Sequence, residues 1–138
     1  MNRAIRKVAI LGSGVMGSRI AAHFAGIGVQ VLLLDIIPRE LTDADKAKGI
    51  TEDQSAWRNS IVNSAMAAML KSKPSAVYTT DVVKRITTGN LEDDLHKISD
   101  CGWVMEVVIE RLDIKQKVFE QVEQYRKPGT LVTSNTSG

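Results

Sequence analysis

Lys7-Val8-Ala9-Ile10-Leu11-Gly12-Ser13-Gly14-Val15-Met16-Gly17 decides the fold. The first five residues form an apolar run cut off by glycine, the pattern of a strand buried on both faces. The last six read Gly-x-Gly-x-x-Gly and open a segment where Met16, Ile20, Phe24 and Ile27 recur at helical spacing. Gly28 is a C-terminal stop for that helix. Val29 to Leu34 supply a second buried strand that ends on Asp35. Strand, glycine turn, helix and strand in about 30 residues make a βαβ unit with a right-handed crossover.

The turn carries the chemistry. Gly12 permits a tight bend, Gly14 lets a diphosphate approach the backbone, and Gly17 lets the helix pack close to the strand. The first N–H groups of the helix, those of Val15 and Met16 included, face such an anion with the positive end of the helix dipole. Alone, this glycine pattern is a weak signal. Its context is stronger: it follows a strand, opens a helix, and has Asp35 at the next strand's end, near the roughly 20-residue spacing of a ribose-binding acid. A carboxylate there accepts both ribose hydroxyls and repels a 2′-phosphate, so NAD is expected rather than NADP. Ile36 and Ile37 follow it without a welcoming arginine, and Arg39 is a weak objection.

Outward from this unit the pattern changes. From about residue 38 to 84 the chain is more charged and holds no strand-like run, which predicts a helical excursion from the sheet, too small for a core of its own. Thr51 and Gln54 have capping-box spacing, and Trp57, Ile61, Ala65, Ala68 and Met69 follow at helical spacing. Arg85 to Thr88 read as a third strand turned by Gly89-Asn90, and Leu91, Leu95 and Ile98 fit a short helix. Trp103 to Ile109 read as a fourth strand. Asp113 caps a helix bearing Val118, Val122 and Tyr125, and Thr130 to Thr133 form a fifth strand. Alternating β and α elements predict an open, mainly parallel α/β sheet.

Composition narrows the rest. The 138 residues fit one domain, and 18 Lys+Arg against 16 Asp+Glu lack the basic excess of a nucleic-acid binder. One cysteine forms no internal disulfide, and two histidines make no His-rich metal site. No apolar run approaches the roughly 18 residues of a membrane span, so no membrane insertion and a cytoplasmic setting are expected. Glu106 and Glu110 resemble a hydrolytic carboxylate pair. On an extended strand, however, four steps of about 3.3 Å hold them roughly 13 Å apart, beyond the 5–9.5 Å that glycosidases use. Glu110 is better placed just past the strand's carboxyl end, where open α/β sheets bind ligands; either acid could instead cap the next helix. Ser134-Asn135-Thr136-Ser137 follows the fifth strand at the same edge, as a polar ligand contact or as a turn or cap. His23 reads as a structural, hydrogen-bonded histidine beside an apolar face, His96 as solvated, Cys101 as a small core residue, and Trp57 as packing.

VAILGSGVMGSRIAAHFA, VLLLD, WVMEVVIERLDIKQKVFEQV and LVTSNTSG together resemble the NAD-binding domain of 3-hydroxyacyl-CoA dehydrogenases, enzymes of fatty-acid β-oxidation. GNLEDDL and SNTSG look most like the large bacterial members. The resemblance covers residues 1–138 as one Rossmann-type domain. It implies that Ser13 to Gly17 cradle the NAD diphosphate, Asp35 holds the adenosine ribose, and Glu110 and Lys115 line the nicotinamide half. It also implies that Ser137 contacts substrate and nicotinamide, and that Asn135 supports the site. In such enzymes a histidine oriented by a glutamate takes the hydroxyl proton. That histidine lies in a Gly-His-Phe-Phe-type stretch after Ser-Asn-Thr-Ser, and neither His23 nor His96 matches it. The catalytic pair and the helical C-terminal domain are therefore expected beyond this chain, leaving no catalytic residue within it. Acyl-CoA is the expected substrate of the longer protein. The family's coenzyme A contacts fall in the excursion, where Ser60, Ser64, Lys71 and Lys73 are candidates. A homodimer is an expectation too, since apolar surface beyond the fifth strand favours self-association. An NAD(H)-sensing module and a dehydrogenase of a small 3-hydroxy acid are the alternatives.

Overall fold

The computed structural model describes residues 5–38, 40–72, 80–107 and 112–134. Strand β1 (Lys7–Leu11) leads through the glycine turn into helix α1 (Val15–Gly26), and β2 (Gln30–Asp35) completes the βαβ unit. Helices α2 (Asp43–Ala47), α3 (Ser55–Arg58), α4 (Ser60–Ser72) and α5 (Thr80–Lys84) precede β3 (Ile86–Asn90). A 3-10 helix (Leu95–Asp100), β4 (Trp103–Glu106), α6 (Leu112–Tyr125) and β5 (Leu131–Ser134) follow. The sheet runs β3-β2-β1-β4-β5 with every pairing parallel. This is the Rossmann-type order, in which the sequence of strands reverses between β1 and β4 and opens a crevice at the carboxyl edge.

The period of two along each strand sorts the core into two layers. Val8, Ile10, Val31 and Leu33 point to one face, where Ala21, Ala22 and Ala25 of α1 meet Val62, Met66 and Met69 of α4. Ala9, Leu11, Leu32 and Leu34 point to the other, against Leu95 and Ile98 of the 3-10 helix and Val118 and Val122 of α6. With both faces covered, the central strands are continuous apolar runs. Helix α1 ends in a Schellman motif: Gly28 has φ +93°, its N–H donates to Ala25 O at 3.2 Å, and Val29 N–H donates to Phe24 O at 2.9 Å.

Several expectations need correction. Met16 and Ile27 do not line the buried stripe of α1; they are 48% and 65% exposed. Its buried face is made of alanines, which allow the helix close to the sheet. The capping box is Thr42 with Asp45, not Thr51 with Gln54. Thr42 donates its backbone N–H to the Asp45 carboxylate at 3.0 Å, which holds that carboxyl below its usual range. Thr51 instead turns its hydroxyl to Asp53, and α3 begins after Gln54 without a side-chain cap. The buried stripe of α4 is Val62, Met66 and Met69, one register away from Ile61, Ala65 and Ala68. Strand β3 continues through Gly89 and Asn90 because Asn90 lies opposite Asp35 in the ladder, and the turn comes at Leu91. Strand β4 stops at Glu106: Val107 N–H still donates to Leu11 O at 2.8 Å, but β1 has ended there and offers no further ladder.

Candidate functional site

Parallel pairing brings five strand ends to one edge. Leu11 is level with Leu34 and with Glu106, Asp35 with Asn90, and Glu106 with Ser134. Asn90, Asp35, the glycine turn, Glu106 and Ser134 therefore stand in a row across the carboxyl edge.

The turn has the geometry its glycines require. Gly12 sits at φ +115° and its N–H donates to Leu34 O at 2.7 Å. A Cβ on Gly17 would lie 1.9 Å from Gly12 O, so only glycine fits beneath the bend. A Cβ on Gly14 would meet nothing within 4 Å. Gly14 is also the N-cap of α1 and brings no capping side chain. The bend thus presents an open, glycine-floored helix N-terminus, suited to a diphosphate. Ser18 steadies it, its hydroxyl donating to Ser13 O at 2.6 Å.

Asp35 closes the turn from β2. Its Oδ2 accepts the Ser13 N–H at 2.9 Å and the Ser13 hydroxyl, and its Oδ1 accepts the Ile36 N–H at 2.7 Å. Beside it opens a cavity of about 570 Å³ walled by Ile36, Ile37, Trp57, Leu91, Val118 and Gln121. Arg58 stands at its rim in a two-pronged contact with Asp93, Nε to Oδ2 at 2.7 Å and Nη2 to Oδ1 at 3.0 Å. That guanidinium, followed by the Asn90 amide, holds the Asp93 carboxyl below its usual range. Asn90 is buried; it donates to Asn59 and Asp93 and accepts the N–H groups of Glu92 and Asp93. A second cavity, of about 430 Å³, lies between the turn and α4, lined by Ser13, Gly14, Ser18, Arg19, Ala65 and Met69.

The other half of the edge is organised by a residue that spacing alone discounted. Glu106 has a fully buried carboxylate, 3.1 Å from Lys115 Nζ and accepting the Ser134 hydroxyl at 2.8 Å. Through these two contacts it ties α6 and β5 to the end of β4. An acid at the end of a Val/Met run was its only sequence signal. That ion pair holds Lys115 at the end of β4. Arg39, Lys73, Glu110, Asn135 and Ser137 lie outside the described residues.

The remaining candidates divide. His23, beside Phe24 of α1, is exposed, its ring edge-on to that phenylalanine with centroids 5.9 Å apart, and His96 is exposed as expected. Cys101 is fully buried, and burial pushes its thiol up to about 12. Trp57 is buried and also walls the larger cavity. In the excursion Ser60 is half-buried, while Ser64 and Lys71 are exposed. Among the described residues no cluster of His, Cys, Asp and Glu could hold a metal ion, and no helix is long and apolar enough to cross a membrane.

Known proteins are similar to this chain in sequence and in fold. A probable 3-hydroxyacyl-CoA dehydrogenase of Bacillus subtilis is 50% identical over 138 residues, covering all of this chain and 18% of that protein. A putative fatty acid oxidation complex trifunctional enzyme of Rickettsia felis is 40% identical, over 99% of this chain and 17% of the relative. The chain thus spans less than a fifth of either relative. Among solved structures, (S)-3-hydroxybutyryl-CoA dehydrogenase from Ralstonia eutropha superposes with a TM-score of 0.62 at 26% identity, over 97% of this chain and 42% of that one. The family model described as "3-hydroxyacyl-CoA dehydrogenase, NAD binding domain" matches residues 7–138, and with the glycine turn and Asp35 in place the chain belongs to that NAD-binding family.

Proposed function

We propose that this chain is the cofactor-binding part of an oxidoreductase that converts (3S)-3-hydroxyacyl-CoA to 3-oxoacyl-CoA in fatty-acid β-oxidation. The observation that carries this reading is the Ser13–Asp35 contact, which sets a ribose-binding carboxylate against a glycine-floored helix N-terminus. Residues 12–17 hold the diphosphate, Asp35 the adenosine ribose, and the cavity beside Ile36 and Val118 receives the adenine. Lys115, together with Glu110, Asn135 and Ser137, belongs to the nicotinamide and substrate half. A nicotinamide held there would supply the hydride acceptor for C3 of the hydroxyacyl group. The hydroxyl proton needs a base, which in the family this chain resembles is a histidine in a Gly-His-Phe-Phe-type stretch that neither His23 nor His96 matches. On this reading the 138 residues on their own are expected to bind NAD(H) without turning over substrate.

Calorimetry with NADH tests the cofactor site. Asp35→Ala is expected to weaken binding at least about tenfold, because it removes a charged acceptor of ribose hydroxyls; equal affinity for both proteins would overturn the ribose assignment. Assay of the full-length protein with acyl-CoA and free-acid substrates tests the reaction, and preference for the free acid would count against it.

A further inference from the structure

The Asp35 carboxylate is nearly saturated by the protein itself. An ionised carboxylate offers about four lone-pair directions. Here the Ser13 N–H and the Ser13 hydroxyl use Oδ2, and the Ile36 N–H uses Oδ1. One direction remains, whereas a ribose presents two donating hydroxyls. Something must yield, and the three donors differ in freedom. The Ile36 N–H follows Asp35 directly in the chain, and the Ser13 N–H belongs to a backbone pinned by the Ser18 hydroxyl on Ser13 O at 2.6 Å. Only the Ser13 hydroxyl turns about a single bond between staggered positions. Ser13 also lines the cavity of about 430 Å³ beside Gly14 and Arg19, which gives the hydroxyl somewhere to go.

We infer that the Ser13 hydroxyl stands in for one ribose hydroxyl on Asp35, and that a vicinal diol displaces it. Ser13 is then more than part of the diphosphate cradle: it sets how strongly the site distinguishes a diol from a deoxyribose. A ligand with one hydroxyl takes the free direction and leaves Ser13 undisturbed. A diol must first break the serine–aspartate contact, so the hydroxyl lowers the site's own preference for ribose.

This rests on the dinucleotide reading, and the test separates the two. ADP-ribose and 2′-deoxy-ADP-ribose are titrated calorimetrically into the wild-type chain and Ser13→Ala. The ratio of diol to deoxy affinity is expected to rise about threefold to tenfold in the variant, the fold-change of one net hydrogen bond. The ratio is informative because a hydroxyl that also touched the diphosphate would affect both ligands alike and cancel. Ser13→Gly carries the same expectation and serves if the alanine variant does not fold. A ratio that stays constant or falls, with both ligands still binding, overturns the displacement alone. Failure of ADP-ribose to bind the folded wild-type chain overturns the dinucleotide reading, and the displacement with it; failure of the deoxy ligand alone overturns the displacement only.

Discussion

A methyl group at Gly17 would land on the Gly12 carbonyl oxygen, at 1.9 Å, whereas one at Gly14 would enter open space. The same substitution should therefore separate two roles within one turn. Gly17→Ala forces the bend away from α1 and is expected to destabilise the chain by about 2 kcal/mol or more, in the upper range of overpacking. Gly14→Ala is expected to cost about 1 kcal/mol or less, the difference between glycine and alanine at an N-cap, while weakening NADH binding severalfold because the methyl stands on the floor of the cradle. Urea unfolding and calorimetry on both variants measure this crossing. Loss of affinity without loss of stability in Gly17→Ala would refute the packing role. At this scale the sequence is highly legible: glycine spacing and a following acid are local signals, written within 29 residues of Lys7. What it hides is a pairing such as Ser13 with Asp35, because hydrogen bonds between distant residues leave no periodic mark.

Among the elements, legibility follows burial. β1 and β2 are covered on both faces, so their apolar runs announce them. The excursion is harder, because α2 and α3 are only five and four residues long and show too little period to read. For α4 the helix is evident but its register is not, since alanines fit both the buried and the exposed face. Glu106 is the most instructive case: α6 and β5 bring Lys115 and Ser134 to it, which spacing along β4 cannot show. Lys115 is 24% exposed at its side chain while Glu106 is at 0%, so the two halves of the pair are not equivalent. Lys115→Met takes the ammonium away from a buried carboxylate and is expected to cost about 3 kcal/mol, the lower range for breaking a buried pair. Glu106→Gln leaves a lysine that reaches water and should cost less. Chemical denaturation of both variants orders them, and a larger loss for Glu106→Gln would show that Lys115 is not the partner that matters.

On the scale of the whole molecule, the sheet separates two apolar layers, and the cofactor edge depends on both remaining closed. Cys101 reports on the layer beneath α6. It is fully buried and follows the 3-10 helix into β4. Burial, then the neighbouring Asp100 charge, pushes its thiol from 9.0 up to about 12. A thiol whose pKa is raised by folding stabilises the native state fully below its unfolded pKa, and that contribution is lost as pH rises toward the folded value. The window is therefore above about pH 9, where the unfolded chain releases a proton that the folded chain retains, with a limiting slope of about 1.4 kcal/mol per pH unit. Cys101→Ala removes this linkage and adds a cavity cost that does not vary with pH. In reducing buffer the wild-type protein should be the more stable of the two at pH 8, and the gap should shrink steadily from pH 9 to 10.5. Lysine titration cancels because both proteins share it. Urea unfolding at half-unit intervals of pH reads the gap directly. Parallel stability curves would mean that the thiol ionises as readily in the folded chain as in the unfolded one, so that water reaches the layer the sheet is argued to seal.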